Sequence, residues 1–225
     1  TIIDGNESVR VVMSENGEYT TAVLSGFTIT NGATNYGAGV YINSCHPTVT
    51  NLRIVENIAY NRGGGLYLSN SNSKLLGLTI KSNNVTSNFG GGICLSSSNP
   101  TVTDVRITNN NTNGSGGGIY CSNSDPTFNN VLIDNNTASL GFTGGTYFEY
   151  NSDPVLYNAT IINNNGAIKC ENNSNPSITN SIIYDNNETP IIFSQSLAPN
   201  SITINYSQIE GGESSINTNN HGTVN

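Results

Sequence analysis

Residues 116–136 read GGGIYCSNSDPTFNNVLIDNN. Three glycines, a short apolar run, a proline, a second apolar run and a pair of asparagines follow one another. Nearly the same line recurs along the chain. With the first glycine of each copy as position 0, the motif begins at Gly37, Gly63, Gly90, Gly116, Gly144 and Gly166, with a degenerate copy at Thr189, at spacings of 22–28 residues. Position +10 holds Pro47, Ser73, Pro100, Pro126, Pro154, Pro176 and Pro199. Position +17 holds Ile54, Ile80, Ile107, Ile133, Ile161 and Ile183, and position +20 holds Asn57, Asn83, Asn110, Asn136, Asn164 and Asn186. An earlier copy fits LSGFTITNG, with Phe27 and Ile29 as its core pair. On this count all length variation falls in one loop, between the +20 asparagine and the next glycine.

Each copy contains three short apolar stretches, of the kinds GVYI, TVT and VRI. They are too short for helices and alternate with period two. Three short strands per copy, stacked on the equivalent strands above and below, make an all-β right-handed parallel β-helix. About eight rungs of 22–28 residues are expected, in one domain over residues 1–225, forming a rod of roughly 40 Å at strand spacing. Glycine supplies the positive-φ turn into the first strand. Proline marks a corner where a missing N–H is tolerated. The +20 asparagines are expected to stack as a ladder. Positions +3 and +5 point inward in four copies (Val40/Ile42, Leu66/Leu68, Ile93/Leu95, Ile119/Cys121), whereas +2 and +4 do so at Ile168/Cys170 and Ile191/Phe193. A one-residue slip flips faces, so a β-bulge is expected in the copy at Gly144, with Thr146 and Phe148 inward.

Composition narrows function. Seven Lys+Arg against fifteen Asp+Glu give a net charge of −8, which argues against nucleic acid and anionic membranes as partners. No run of eighteen apolar residues is present, so no helical membrane span is expected.

The lines RIVENIAYNRGGGLY, RITNNNTNGSGGGIY and LIDNNTASLGFTGGTY resemble the β-helix repeats of large secreted bacterial surface proteins. They are similar to polymorphic outer-membrane protein repeats, which pair an N-N-rich strand end with GGA[IVL]. TIIDGN and NYSQIEGG look like pieces of such proteins. Here GGA is mostly GGG, and F-x-x-N is largely Ile-x-x-N. The resemblance implies the architecture and an extracellular or cell-surface setting, and it carries over no catalytic residue.

Many β-helices act on acidic polysaccharides, and the residues that such activity needs are specific. The polygalacturonase motifs NTD, DD, GHG and RIK do not occur here. His46 and His221 lie far apart. Arg53 and Arg106 share a column with Thr79 between them, an expected solvated face. The balance favours a non-catalytic structural or adhesive rod, with a polysaccharide-binding or polysaccharide-cleaving module as the alternative. Carboxylates stack in two columns, Asp125 with Asp153 and Glu149 with Glu171; Lys169 is placed to neutralise the latter. No cofactor is expected, although either pair offers Ca²⁺ a foothold. Tyr41, Tyr67, Cys94, Tyr120 and Tyr147 form an outward stripe, expected either as a cross-rung aromatic ladder that stiffens the sheet or as a surface suited to sugar stacking or to a protein interface. The loop Thr137–Thr143 is the longest, so a step in girth is expected near Gly144. Tyr147, Glu149, Tyr150, Asp153 and Glu171, with Phe142, are the candidate ligand-binding residues at that step. Outward Thr48/Thr50 and Thr101/Thr103 suggest an ice lattice, broken by Lys74/Leu76 and Val155/Tyr157.

Cys45, Cys94, Cys121 and Cys170 share no column on adjacent rungs, so four free thiols are expected. The chain starts at Thr1 and ends at Asn225 without a polar capping helix. The expectation is either a piece excised from a longer rod or open ends that stack on copies of the same chain. Partners are accordingly copies end to end or surface glycans.

Overall fold

The period-two stretches form strands, and each pairs in parallel with its equivalent one copy away. The structure, a computed structural model, describes residues 1–139, 142–194 and 198–225. Among these, the GVYI-type stretches make a nine-stranded sheet. Its central members are Val40–Asn43, Leu66–Ser69, Ile93–Ser96, Ile119–Ser122 and Thr146–Glu149. The TVT and VRI stretches belong to one larger sheet and fuse into single strands at Thr101–Thr108, Thr127–Asp134 and Val155–Ile162. A third sheet contains Ala33–Tyr36, Ile58–Arg62, Asn84–Val85, Asn111–Thr112 and Thr137–Ala138. Sequence reading assigned these last residues to the variable loop. They pair because each follows directly on the ladder corner, held by Gly32 in the first rung and by asparagine in the others, where the rungs are still in register. The result is a right-handed β-helix of about eight turns.

The core is a set of axial columns. Ile29, Ile54, Ile80, Ile107, Ile133, Ile161 and Ile183 are all fully buried. Facing them are Val40/Ile42, Leu66/Leu68, Ile93/Leu95 and Ile119/Cys121, also buried. Corners are made by single residues in the left-handed region. Asn51, Gly77, Asp104, Asn130, Asn158 and Asn180 bend the large sheet between its two strand segments. Glu56, Ser82, Asn109, Asn135, Asn163 and Asp185 turn the chain just before the ladder. Asparagine and aspartate tolerate this backbone best among residues with side chains, which explains much of the composition. At the glycine turn the constraint is space: a Cβ on Gly91 would lie 2.5 Å from the carbonyl oxygens of both Asn111 and Gly117.

The asparagine ladder runs from Asn57 to Asn186. Asn83 Nδ2 and its own backbone N–H both donate to Asn110 Oδ1, each at 3.0 Å. Asn110 repeats this with Asn136, and Asn136 with Asn164. Each Nδ2 also donates to an inner-column carbonyl, as Asn110 does to Ile80 at 3.0 Å. A second, unanticipated ladder occupies another corner. The buried hydroxyls of Ser98, Ser124, Ser152 and Ser174 accept the backbone N–H groups of Ser71, Ser98, Ser124 and Ser152.

The slip is located differently from the expectation. Thr146, Tyr147, Phe148 and Glu149 pair without interruption with Ile119, Tyr120, Cys121 and Ser122, so no bulge breaks this strand. Thr146 and Phe148 are inward as read. Counting back three residues from the Ile119–Thr146 pair makes Thr143 the equivalent of Gly116. The extra residue lies in the following corner, where Tyr150 and Asn151 both have positive φ in place of Asn123 alone. The segment from glycine to asparagine is therefore not of fixed length. The four cysteines are free and buried, with Cys121 inward and Cys94 on the outer face.

Asn110→Ala removes an acceptor shared by two buried donors. It should lower the unfolding free energy in urea by about 3–5 kcal/mol. Thr101→Ala, on an exposed strand face, should change it by less than about 0.5 kcal/mol.

Candidate functional site

The outer face of the nine-stranded sheet brings most of the candidate residues together. Tyr41, Tyr67, Cys94, Tyr120, Tyr147 and Lys169 form one column by strand register. Rungs are about 4.8 Å apart, so neighbouring rings stack along the axis. Tyr41 and Tyr67 lie parallel, with centroids 5.5 Å apart. Cys94 is too small to continue the stack, and Phe89 fills the gap, stacked on Tyr120 at 4.5 Å. Tyr120 and Tyr147 are 5.4 Å apart. Cations close the column: Arg10 sits 4.1 Å from the Tyr41 centroid, and Lys169 Nζ 4.6 Å from that of Tyr147. Arg62 lies over Phe89 and Tyr120.

This geometry decides what the stripe can do. Tyr120 and Tyr147 are 2% and 4% exposed, their faces taken by other side chains. A sugar ring has no access to them. Their hydroxyls are also committed. Tyr120 Oη donates to Glu149 Oε2 at 2.8 Å, and Tyr147 Oη to Glu171 Oε2 at 2.7 Å. Lys169 Nζ pairs with Glu171 at 3.3 Å, and Asn172 Nδ2 reaches Glu149 at 3.4 Å. Glu149 and Glu171 lie one position beyond the paired Phe148 and Cys170, hence on adjacent rungs. Each has its own donors, which is how two like charges one rung apart are tolerated. Burial, the Glu149 charge and the hydrogen bond to it raise the Tyr120 pKa well above the ordinary tyrosine value. Burial and the bond to Glu171 do the same for Tyr147. Burial likewise pushes the Cys94 thiol to about 12, which leaves it protonated and a poor nucleophile at neutral pH.

Tyr150 is half exposed at the corner, and the Glu149 carboxylate raises its pKa. Asp153 is elsewhere. It belongs to a corner column in which each side chain accepts the N–H of the next rung. Asp153 N–H donates to Asp125 Oδ1 at 2.8 Å, and Asn175 N–H to Asp153 Oδ1 at 2.8 Å. The column continues through Asn99 and Asn72 to His46 Nδ1. Among the described residues, no three His, Cys, Asp or Glu side chains converge on a point where a metal ion could be held.

A depression of about 150 Å³ does occur near the expected step, lined by Phe142, Lys169 and Glu188 together with Gly166 and Ile192. Tyr147, Glu149, Tyr150, Asp153 and Glu171 do not line it. The residues missed in the sequence are Arg62 and Phe89. Both precede a motif glycine, in a column with Tyr36. That position was legible in principle, but it was counted as loop.

A family model described as a right-handed β-helix region matches residues 77–225. No curated protein and no solved structure matches the chain.

The two raised tyrosines make a pH prediction. A pKa higher in the folded than in the unfolded state, where it is near 10, adds stability that is fully present below about pH 10 and is lost as pH rises above it. Urea midpoints measured from pH 8 to 11 should fall steeply at the alkaline end. The fall should be shallower in Tyr120→Phe/Tyr147→Phe. That variant should be less stable than the native chain by about 2–4 kcal/mol at pH 8, since two carboxylates lose donors.

Proposed function

Because the chain belongs to the right-handed β-helix family, we propose that it serves as a non-catalytic extracellular rod: a stalk, spacer or self-assembling subunit at a bacterial surface. The observation that carries this reading is the buried asparagine ladder from Asn57 to Asn186. Its side chains bond along the axis and to the core backbone, so they resist bending instead of presenting chemistry. The acids singled out by sequence are used in the same way. Glu149, Glu171, Asp125 and Asp153 each accept hydrogen bonds from an adjacent rung. The resemblance to surface-protein repeats supports the setting. Copies of the chain end to end, or surface glycans, are the partners this reading provides for.

The second reading, a polysaccharide-binding or polysaccharide-cleaving module, draws on the depression beside Phe142, Lys169 and Glu188. Its volume is below the roughly 300 Å³ at which small-molecule sites begin.

Sedimentation and electron microscopy of the same samples should give stiff rods. Lengths that grow with concentration would select the self-assembling form, and constant lengths the spacer. Incubation with polygalacturonate, xylan and mannan should release no new reducing ends. Release that disappears in Glu188→Gln, on the wall of that depression, would replace the first reading by the second.

A further inference from the structure

The VRI-type segments of the large sheet present an outer face that none of the foregoing uses. Two outward columns run along it. One reads Arg106, Leu132, Thr160, Ile182 and Gln208. The other reads Thr108, Asp134, Ile162 and Tyr184, followed by Glu210, whose N–H donates to Ile183 O.

The face changes character along the rod. Its cations, Arg53, Lys81 and Arg106, lie toward one end, and all are exposed. Leu132, Ile162, Ile182 and Tyr184 make an apolar centre, with Ile182 45% and Tyr184 40% exposed. Glu210 lies toward the other end. These side chains are largely uncommitted. Among the described residues, Arg106 and Glu210 make no ion pair, and the Tyr184 hydroxyl has no hydrogen-bond partner. Asp134 Oδ1 accepts from Asn163 Nδ2 at 2.9 Å, which leaves Oδ2 free to accept again.

The two columns are complementary to themselves. With the rung of Thr160 and Ile162 as centre, a second rod can lie antiparallel on the first, about a twofold axis parallel to the strands. Each column then meets its own reverse. Leu132 meets Ile182, and Ile162 meets its own copy. Asp134 meets Tyr184, so a carboxylate oxygen faces a phenolic donor. Arg106 meets Gln208 and stands one outward position from Glu210. Parallel rods, about an axis along the rod, would instead set Leu132 against Asp134 and Arg106 against Thr108. The antiparallel pattern is the one in which apolar groups meet apolar groups and charges meet their opposites.

We propose that two copies of this chain pair side by side and antiparallel through this face. The net charge of −8 opposes association over most of the surface; here a cation faces an acid twice, once on each side of the axis. The twofold closes, so this contact makes dimers and not filaments. Five rungs span about 24 Å, and the face is roughly 15 Å wide, giving on the order of 350 Å² per partner. That is less than half of the roughly 800 Å² of a stable complex, so the pair is weak, half dissociated near roughly 0.1 mM. Its effect grows where many rods are held together. The pairing does not depend on whether the rod also extends end to end.

Sedimentation velocity and small-angle X-ray scattering from about 10 μM to about 1 mM test this. A reversible dimer should form whose cross-section widens while its length grows by roughly a third to a half. Ile182→Asp, at an exposed position, should weaken pairing by about tenfold or more with unchanged circular dichroism. Arg106→Glu and Glu210→Arg should each weaken it, and Arg106→Glu/Glu210→Arg should restore it, because one chain carries both halves of the contact. Arg53→Glu, on the same face outside the overlap, should weaken it far less. The four native thiols are buried. Thr160→Cys, at the twofold, should therefore be joined to its own copy by a short bis-maleimide, and Thr79→Cys should not. A monomer throughout, a dimer of doubled length and unchanged cross-section, indifference to Ile182→Asp, a charge swap that fails to restore pairing, or no link through Thr160→Cys would each overturn the proposal.

Discussion

Everything in this rod follows from parallel stacking at a fixed repeat of about 4.8 Å. Once one rung lies on another in register, each residue faces its own equivalent, and every position becomes a column to be solved once and repeated. A polar side chain at a buried corner is costly alone. In a column it can bond the copy above and the copy below. Asn57 through Asn186 solve one corner in this way, and Ser98 through Ser174 solve another. The same logic places an acceptor under each exposed N–H from Asn72 to Asn175.

Columns with strict chemistry were the legible ones. The +17 isoleucines and +20 asparagines cannot vary without leaving a cavity or an unpaired donor, so they stood out and were placed correctly. The serine ladder was harder to see. A serine in a chain rich in Ser, Thr and Asn draws no attention, and Cys45 occupies the place of Ser71 one rung earlier. The misplaced slip has a related cause. Glycine was used as the origin of each copy, but by strand register Thr143 and Asn165 stand in the fifth and sixth copies where the first four have glycine. The register was shifted by one, and a compensating bulge was then required in the strand. The actual extra residue sits at Tyr150–Asn151, because a corner absorbs an insertion by adding a second left-handed residue, whereas a strand inside a sheet would lose ladder bonds.

The candidate site was legible in its members and not in its meaning. Register brought Glu149 beside Glu171 and Tyr120 beside Tyr147, as the spacing required. What spacing could not convey is that Phe89 reaches across from the preceding segment and closes over Cys94. That contact turns an outward tyrosine stripe into a second small core. An outward-pointing side chain on a β-helix is outside the barrel, which is a different condition from being exposed to solvent.

The distinction bears on where such a rod can meet other molecules. Axial bonding consumes side chains: a ring stacked on the ring below has no free face, and a carboxylate holding its neighbour's hydroxyl has little left to give. The more perfectly a column stacks, the less it can recognise. Recognition therefore falls to columns that change identity from rung to rung. On the outer face of the large sheet, arginine gives way to leucine and then to threonine across Arg106, Leu132 and Thr160. Such a column builds no axial ladder, so its side chains keep their capacity for other contacts.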